Sequence, residues 1–348
     1  MAAGSRRAVV RLAAYLARRV LLLPLLLAGV SLLSFVLSHL VPADPTAAFI
    51  GPRAAGDPEI VAAFKHEWGL DRPLPQQYAV YLWKLVHGDM GMSIATRRPV
   101  EVDLRERFPA TVELAITAMA IAVAVGLPLG ILAAVYRRGP IDEAARVASL
   151  LGVSMPVFWL GLVAIIVFYA QLGWAPAPGR LGGNVSSPQP ITGLFVTDAL
   201  LRGDISTAFD ALKHLVLPAL VLSFYSIGSI TRLMRATMLE VLGEDYVRTA
   251  RAKGLPRPAV IVRHAVRNAF IPVLTLMGLN FGNLLAGAVV TETVFSWPGL
   301  GQYAFQAASS LDFPAIMGVG MLIAATYLTI SLFVDLTYAA IDPRVRVG

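Results

Sequence analysis

The sequence predicts an all-α polytopic membrane protein of six transmembrane helices, with its N and C termini in the cytoplasm. Three observations predict it. Of the 348 residues, 57% are hydrophobic and only 15% charged, which is too apolar for an ordinary water-soluble domain. The apolar residues fall into six charge-free blocks, each close to the roughly 20 residues that an α-helix needs to cross a bilayer core. The cations lie between the blocks and are shared unevenly between the two sides, as topology requires. The net charge of +7 therefore marks loops rather than a nucleic-acid surface. With no cysteine in the chain, disulfides, thiolate metal sites and a cysteine nucleophile are excluded.

The blocks occupy 20–38, 114–136, 147–172, 214–231, 268–291 and 313–334. Ahead of the first, Arg6, Arg7, Arg11, Arg18 and Arg19 form an arm without an acid. That block exceeds the roughly 7–15 apolar residues of a signal peptide and runs on into HLVPADP, so it is expected to remain as a span. An even count puts both ends on one side. If that side is the cytoplasm, it holds 18 Lys and Arg: five in the arm, three in 137–146, eight in 232–267 and two after Pro343. The outside holds 11, but eight of them lie in 41–109, which is longer than the loops of up to about 60 residues over which the bias is counted. The useful comparison is 18 against three.

The long segment 41–109 carries its own apolar and aromatic residues, and 76–86 reads as an amphipathic helix with Tyr78, Leu82 and Leu85 on one face. The loop at 173–212 is rich in Pro, Gly and Ser before a short helical stretch. The last external loop mixes aromatics with Pro298, Gly299 and Gly301, a backbone acceptable only against protein or a watery vestibule. Pro24, Pro128, Pro156 and Pro218 are expected to kink or start helices. Gly126 with Gly130, and Gly278 with Gly282, are small-xxx-small pairs that let helices approach closely.

The most charged stretch follows the fourth block. Between Arg232 and Arg267 stand eight Lys and Arg against Glu240, Glu244 and Asp245. At about 2.5–3.5 kcal/mol per cation at mid-bilayer, it cannot lie in lipid. Leu239, Leu242, Tyr246 and Ala250 recur at helical spacing on one face, with Glu244 and Arg248 at i, i+4 on another. Gly254 ends this helix, and Pro256 and Pro258 open the next, which carries Val260, Ile261, Ala265 and Phe270 into the fifth block. A helix-turn-helix held against the membrane suits docking of a soluble partner.

Here the sequence resembles the permease subunits of bacterial ABC importers of the peptide/nickel type. Arg248-Thr249-Ala250 stands where the family's cytoplasmic loop has Glu-Ala-Ala, Gly254 matches its glycine, and His264-Ala265-Val266-Arg267 stands where Ile-x-Leu-Pro follows. YVRTARAKGL, RHAVRNAFIP, GLDRPLPQQY, HGDMG, RFPATVELA, WPGLG and LDFP agree with the subfamily in order and spacing, from RRVLLLPLLLAGVSLLSFVLSHLVP to YAAIDPRVR. The resemblance implies the type I ABC importer permease fold: a cytoplasmic arm at 1–19, a first span with external segment at 20–109, a five-helix core at 110–342 containing the coupling loop 236–267, and a tail at 343–348. It implies ATPase coupling through Tyr246, Arg248, Thr249, Ala250, Arg251, Lys253 and Gly254, with Ala250 and Gly254 permitting close approach. Trp297, Pro298, Gly299 and Gly301 would form an external gate or docking surface. Its partners would be a second, related permease, two ATPase subunits and an external solute-binding protein, in membrane lipid. The chain would bind no cofactor itself, with ATP and Mg on the ATPases.

Polar groups in or beside the blocks are pathway candidates: Glu113, Asn280, Asn283, Glu292 and Asp335. Each acid has the alternative of pairing with a loop cation. The chain has no GxxxxGK[ST], HExxH or GxSxG pattern, so the expectation is a permease without a catalytic site. The import substrate implied is a di- or oligopeptide, with a nickel chelate, glutathione or haem as alternatives. An ion-coupled secondary transporter is the rival class, and would show inverted repeats, interrupted spans and buried coupling acids near mid-membrane.

Overall fold

The computed structural model describes residues 2–40, 58–59, 62, 66 and 71–341, with backbone alone for 2–20, 335 and 338–341. Helix α1 (Ala2–Leu40) contains the first apolar span, Leu21–Leu40. Helix α2 (Leu74–Val86) crosses its outer part: the Tyr78 hydroxyl donates to the Ala28 carbonyl at 3.1 Å, and the Phe35 ring lies against Tyr78 and Tyr81. The amphipathic helix read at 76–86 is thus present, with Tyr78 on its inner face. Leu82 and Leu85 are half-buried beside it.

Helices α3 (Val100–Val135), α7 (Ile205–Val241) and α9 (Arg257–Val294) form the heart of the bundle. Small residues set their separation. A Cβ on Gly130 would stand 2.7 Å from the Met234 Cβ and 2.8 Å from the Thr231 carbonyl oxygen, so only glycine lets α3 and α7 meet there. Gly126 abuts Ile230 in the same way, and the Thr231 hydroxyl bonds the Gly126 carbonyl at 3.2 Å. Gly278 and Gly282 admit Val334 and Tyr327 of α11 (Phe313–Ile341) against α9. The core runs the length of these helices, from Ala110, Leu114, Leu215 and Trp297 at one end to Met234, Met238, Ala265 and Ala269 at the other.

The third apolar block is not one straight span. Helix α4 (Pro140–Ser154) and helix α5 (Val157–Gln171) meet at a bend of 103°. The cause is Pro156: it has no N–H and forces Met155 out of the helical region, to φ −80° and ψ 129°. Among the described residues five helices are long and apolar enough to cross a membrane, and the bent pair makes a sixth if it counts as one span. Pro24, Pro128 and Pro218 lie inside α1, α3 and α7.

Two ends follow from this topology. At one, α7 stops and the chain turns into α8 (Asp245–Ala252) and on to the start of α9. At the other lie α2, α6 (Phe195–Leu201) and α10 (Leu300–Ser309) with their loops. The expected single helix through Leu239, Leu242, Tyr246 and Ala250 is broken: backbone turns at 242–244 separate α7 from α8, with Gly243 N–H bonded to the Glu240 carbonyl. Arg248 consequently pairs with Asp245, at 3.3 Å, rather than with Glu244.

Candidate functional site: the helix after the fourth span and the opposite loop end

Helix α8 is anchored by one face. Val247 and Ala250, three residues apart, are buried with Val260 under Val241 and Leu242. Ala250 therefore packs on the body of the protein, and its small size serves that contact. Tyr246, Arg248, Thr249, Arg251 and Lys253 are all exposed. The Tyr246 hydroxyl accepts from Asn268 Nδ2 at 2.7 Å, which ties α8 to α9 across the turn. Gly254 has φ +76° with open space around the position of a Cβ. Its role is conformational: Gly254 N–H bonds the Arg251 carbonyl, and Leu255 N–H reaches the Ala250 carbonyl at 3.4 Å, the glycine C-cap of a helix. The chain then restarts as a helix at Arg257 and passes through a wide π-helical turn, Val260–Val266, before the regular part of α9.

The neighbouring α4 is held by charge. Asp142 in its first turn accepts from Arg235 Nε at 2.5 Å and Nη2 at 2.9 Å, and from the Arg138 N–H at 2.9 Å. This bidentate pair fastens α4 to α7 close to where α7 gives way to α8.

At the opposite end, Glu292 explains the WPGLG stretch. Its carboxylate is buried and takes the Thr111 hydroxyl at 2.6 Å on one oxygen and the Gln302 N–H at 3.0 Å on the other. Gln302 lies in the first turn of α10, where unsatisfied N–H groups and the helix dipole favour an anion. A Cβ on Gly299 would stand 2.5 Å from the Glu292 Cδ, and one on Gly301 would overlap the Val289 backbone, so both positions need glycine. Trp297 is 1% exposed and donates from Nε1 to the Ala110 carbonyl at 2.9 Å. Pro298 lies in the turn between Trp297 and α10.

Glu113 acts similarly, just beyond Thr111 on α3. It pairs with Arg180 at 2.5 Å and accepts the Val196 N–H at 2.9 Å. The Arg180 guanidinium stacks 3.5 Å from the Phe195 ring centroid and 5.5 Å from that of Trp297, joining two loops. Asp103 accepts from Tyr303 and Thr96, and Asp312 from Ser93 and the Ala95 N–H, so the segment before α3 is bolted to the last loop.

The remaining polar candidates separate. Asn280 is buried and donates to Ser229 at 2.9 Å, a cross-link between α9 and α7. Asn283 is exposed, on a stripe with Leu279, Ala286 and Val290 that turns away from the bundle heart. The Asp335 side chain lies outside the described residues. Among the described residues no three His, Cys, Asp or Glu stand close enough to hold a metal ion.

Several of these residues are invisible to sequence reasoning. Asp142 and Arg235 are joined across 93 positions, and no local pattern links them, whereas the pairing of Glu113 with a loop cation was expected and only the identity of Arg180 was not. Asp312 was accessible in principle, as an Asp placed ahead of an apolar helix whose side chain takes the Ala315 N–H.

Comparison with known proteins identifies the family. Residues 126–347 match the family described as binding-protein-dependent transport system inner membrane component, and residues 12–115 match the corresponding N-terminal family. The chain is 46% identical to the probable D,D-dipeptide transport system permease protein DdpB of Escherichia coli, over 94% of this chain and 95% of that one. It is 44% identical to the dipeptide transport system permease protein DppB of the same organism, over 91% and 94%. To the di/tripeptide transport system permease protein DppB of Pseudomonas aeruginosa it is 45% identical, over 95% and 98%.

Proposed function

The chain belongs to the family of binding-protein-dependent transport system inner membrane components, and from that premise we propose that it imports di- or oligopeptides, driven by ATP hydrolysis on partner subunits. It is a multi-pass membrane permease of an ABC transport system. The peptide substrate is supported by relatives named for dipeptides and tripeptides that match at 44–46% identity over more than nine-tenths of the chain.

The observation that carries the coupling mechanism is the two-sidedness of α8. Val247 and Ala250 fix it to the permease, while Arg248 and Lys253 stand exposed on the side left for another protein. The cation bias favours a cytoplasmic position for this end, where two ATPase subunits would receive it. Closure of the ATPases on ATP moves α8, and with it α9 through the π-helical turn and α4 through the Asp142–Arg235 pair. The motion shifts the permease from inward-facing to outward-facing only if α8 contacts the two ATPase states unequally.

The pathway lies on the outer face of α9, between this chain and a second, related permease. An amide such as Asn283 facing lipid alone is costly, so its stripe is better suited to a watery lumen or a partner helix. Glu113 and Glu292, engaged by loop groups, hold the external loops on which a solute-binding protein would deliver peptide, with Trp297, Pro298, Gly299 and Gly301 at the centre of that surface.

Reconstitution tests the whole. Proteoliposomes containing this chain, its permease partner, the ATPases and the binding protein should take up labelled dipeptide only with ATP and only when every component is present. Uptake by this chain alone, driven by a proton or sodium gradient, would contradict the proposal.

A further inference from the structure

A groove of about 420 Å³ opens beside the coupling helix, where the ends of four elements converge. Its walls include Val135 at the end of α3, Leu242 after α7, Arg251 of α8, Leu255 in the following turn, and Arg257 and Ile261 at the start of α9. Its lining combines aliphatic side chains with two guanidinium groups and holds no acid. The Arg251 guanidinium has no hydrogen-bond or ion-pair partner among the described residues. The Arg257 guanidinium has, among the described residues, only a long contact of 3.5 Å from Nη2 to the Val135 carbonyl oxygen. The sequence groups Arg251 with the partner-facing cations, whereas the structure turns it toward this groove.

The level of the groove matters as much as its lining. The apolar run of α3 ends at Val135 and Tyr136 and is followed at once by Arg137 and Arg138, so the groove sits where hydrocarbon gives way to headgroups. Guanidinium groups match phosphate oxygens in geometry and charge. Basic pockets between spans at this level suit anionic lipid headgroups. A free phosphate would leave the apolar wall unused, and an uncharged lipid would leave two arginines unpaired. We infer that the groove binds an anionic phospholipid, its phosphate between Arg251 and Arg257 and the first carbons of its chains against Leu242, Leu255 and Ile261.

A lipid held there touches the ends of α3 and α7, helix α8 and the start of α9 together. It therefore sets the position of the coupling helix relative to the bundle. The inference stands on the groove itself and is independent of which membrane face is cytoplasmic and of which solute is carried.

Native mass spectrometry of the full-length chain in detergent decides the point, using phosphatidylglycerol, phosphatidylcholine and sn-glycerol 3-phosphate as probes. Phosphatidylglycerol should be retained in preference to phosphatidylcholine. Its bound fraction should fall about tenfold in R251Q/R257Q, as expected when charge-assisted hydrogen bonds are lost, and stay unchanged in Arg202→Gln at the other end. Leu255→Trp, which fills the groove without altering charge, should also displace the lipid, so a folding defect in the arginine variants would not hide the answer. Equal retention of the two lipids, or retention unaffected by both groove variants, would overturn the inference. Displacement by equimolar sn-glycerol 3-phosphate would reassign the site to a soluble phosphate. Complete expulsion of lipid by added ATPase subunits would reassign it to a protein partner.

Discussion

Gly299 and Glu292 show how one carboxylate dictates its surroundings. The carboxylate occupies the space where a Cβ at 299 would lie, while satisfying Thr111 and the first turn of α10. Gly299→Ala should lower the melting temperature of the purified protein, and combining it with Glu292→Ala should cost less than the two changes added together. A coupling of about 1 kcal/mol or more is expected for groups in direct contact, and simple additivity would count against the clash. Gly254 is demanded by its backbone angle instead. Because space around it is open, Gly254→Ala should leave membrane insertion intact and weaken uptake through a cost of about 1–2 kcal/mol for a left-handed alanine. A bulkier Gly254→Val should abolish uptake at normal expression, and unchanged uptake in that variant would remove α8 from the coupling role. Asn280 and Asn283 offer a parallel contrast. Asn280→Leu should destabilise the bundle by leaving Ser229 without its cross-helix partner, whereas Asn283→Leu should keep the melting temperature and change uptake kinetics.

Among the elements, α4 depends on a pair that no reading of its own sequence reveals. The Asp142 side chain is 2% exposed and the Arg235 side chain 23%, and removing one partner leaves a buried charge unmatched. Arg235→Ala, which leaves the buried Asp142 carboxylate short of its bidentate partner, should therefore cost about 1–3 kcal/mol, measured as a loss of thermal stability, with R235D/D142R recovering some of it. The loop before α6 rests on Asp198 in a comparable way. Burial pushes the Asp198 carboxyl up, but hydrogen bonds from Thr192, Ile191 and Gly193 outweigh burial and hold it below the ordinary carboxylate value. Since the folded value is the lower one, its contribution is present above the unfolded value of about 3.9 and is lost as pH falls through the folded value. Hydrogen exchange in 190–203, corrected for intrinsic rates, should accelerate below that range in the native protein and lose this pH step in Asp198→Asn. What was legible from sequence at this scale was what is periodic or compositional: the apolar blocks, the amphipathic helix at 76–86, the glycine ending α8 and the prolines opening α9. The bend at Pro156 and the break at 242–244 were less so. A proline in an apolar block signals a kink but not its size, and helical spacing carries straight across a short turn.

For the molecule as a whole, the charged end and the loop end have opposite characters. At the loop end Asp103, Glu113, Glu292 and Asp312 fasten loops to α3 and to one another. At the other end the cations of α8 are largely uncommitted, and the connections inward run through a π-helical turn and a single ion pair. Charge distribution alone told the two ends apart in the sequence, because solvation sets where cations may lie irrespective of fold. Which of Asn280 and Asn283 is buried was not legible there, since the two differ only in which side of one helix they occupy. The most direct test of coupling through α8 uses the absence of native cysteine. A single-cysteine variant, Thr249→Cys, treated with a thiol-to-amine cross-linker in the assembled importer, should join this chain to the ATPase subunits, with a yield that changes between ATP-bound and nucleotide-free states. The control Ser206→Cys, at the other end, should give no such product. Absence of the cross-link from position 249, or a yield identical in both nucleotide states, would contradict coupling through this helix.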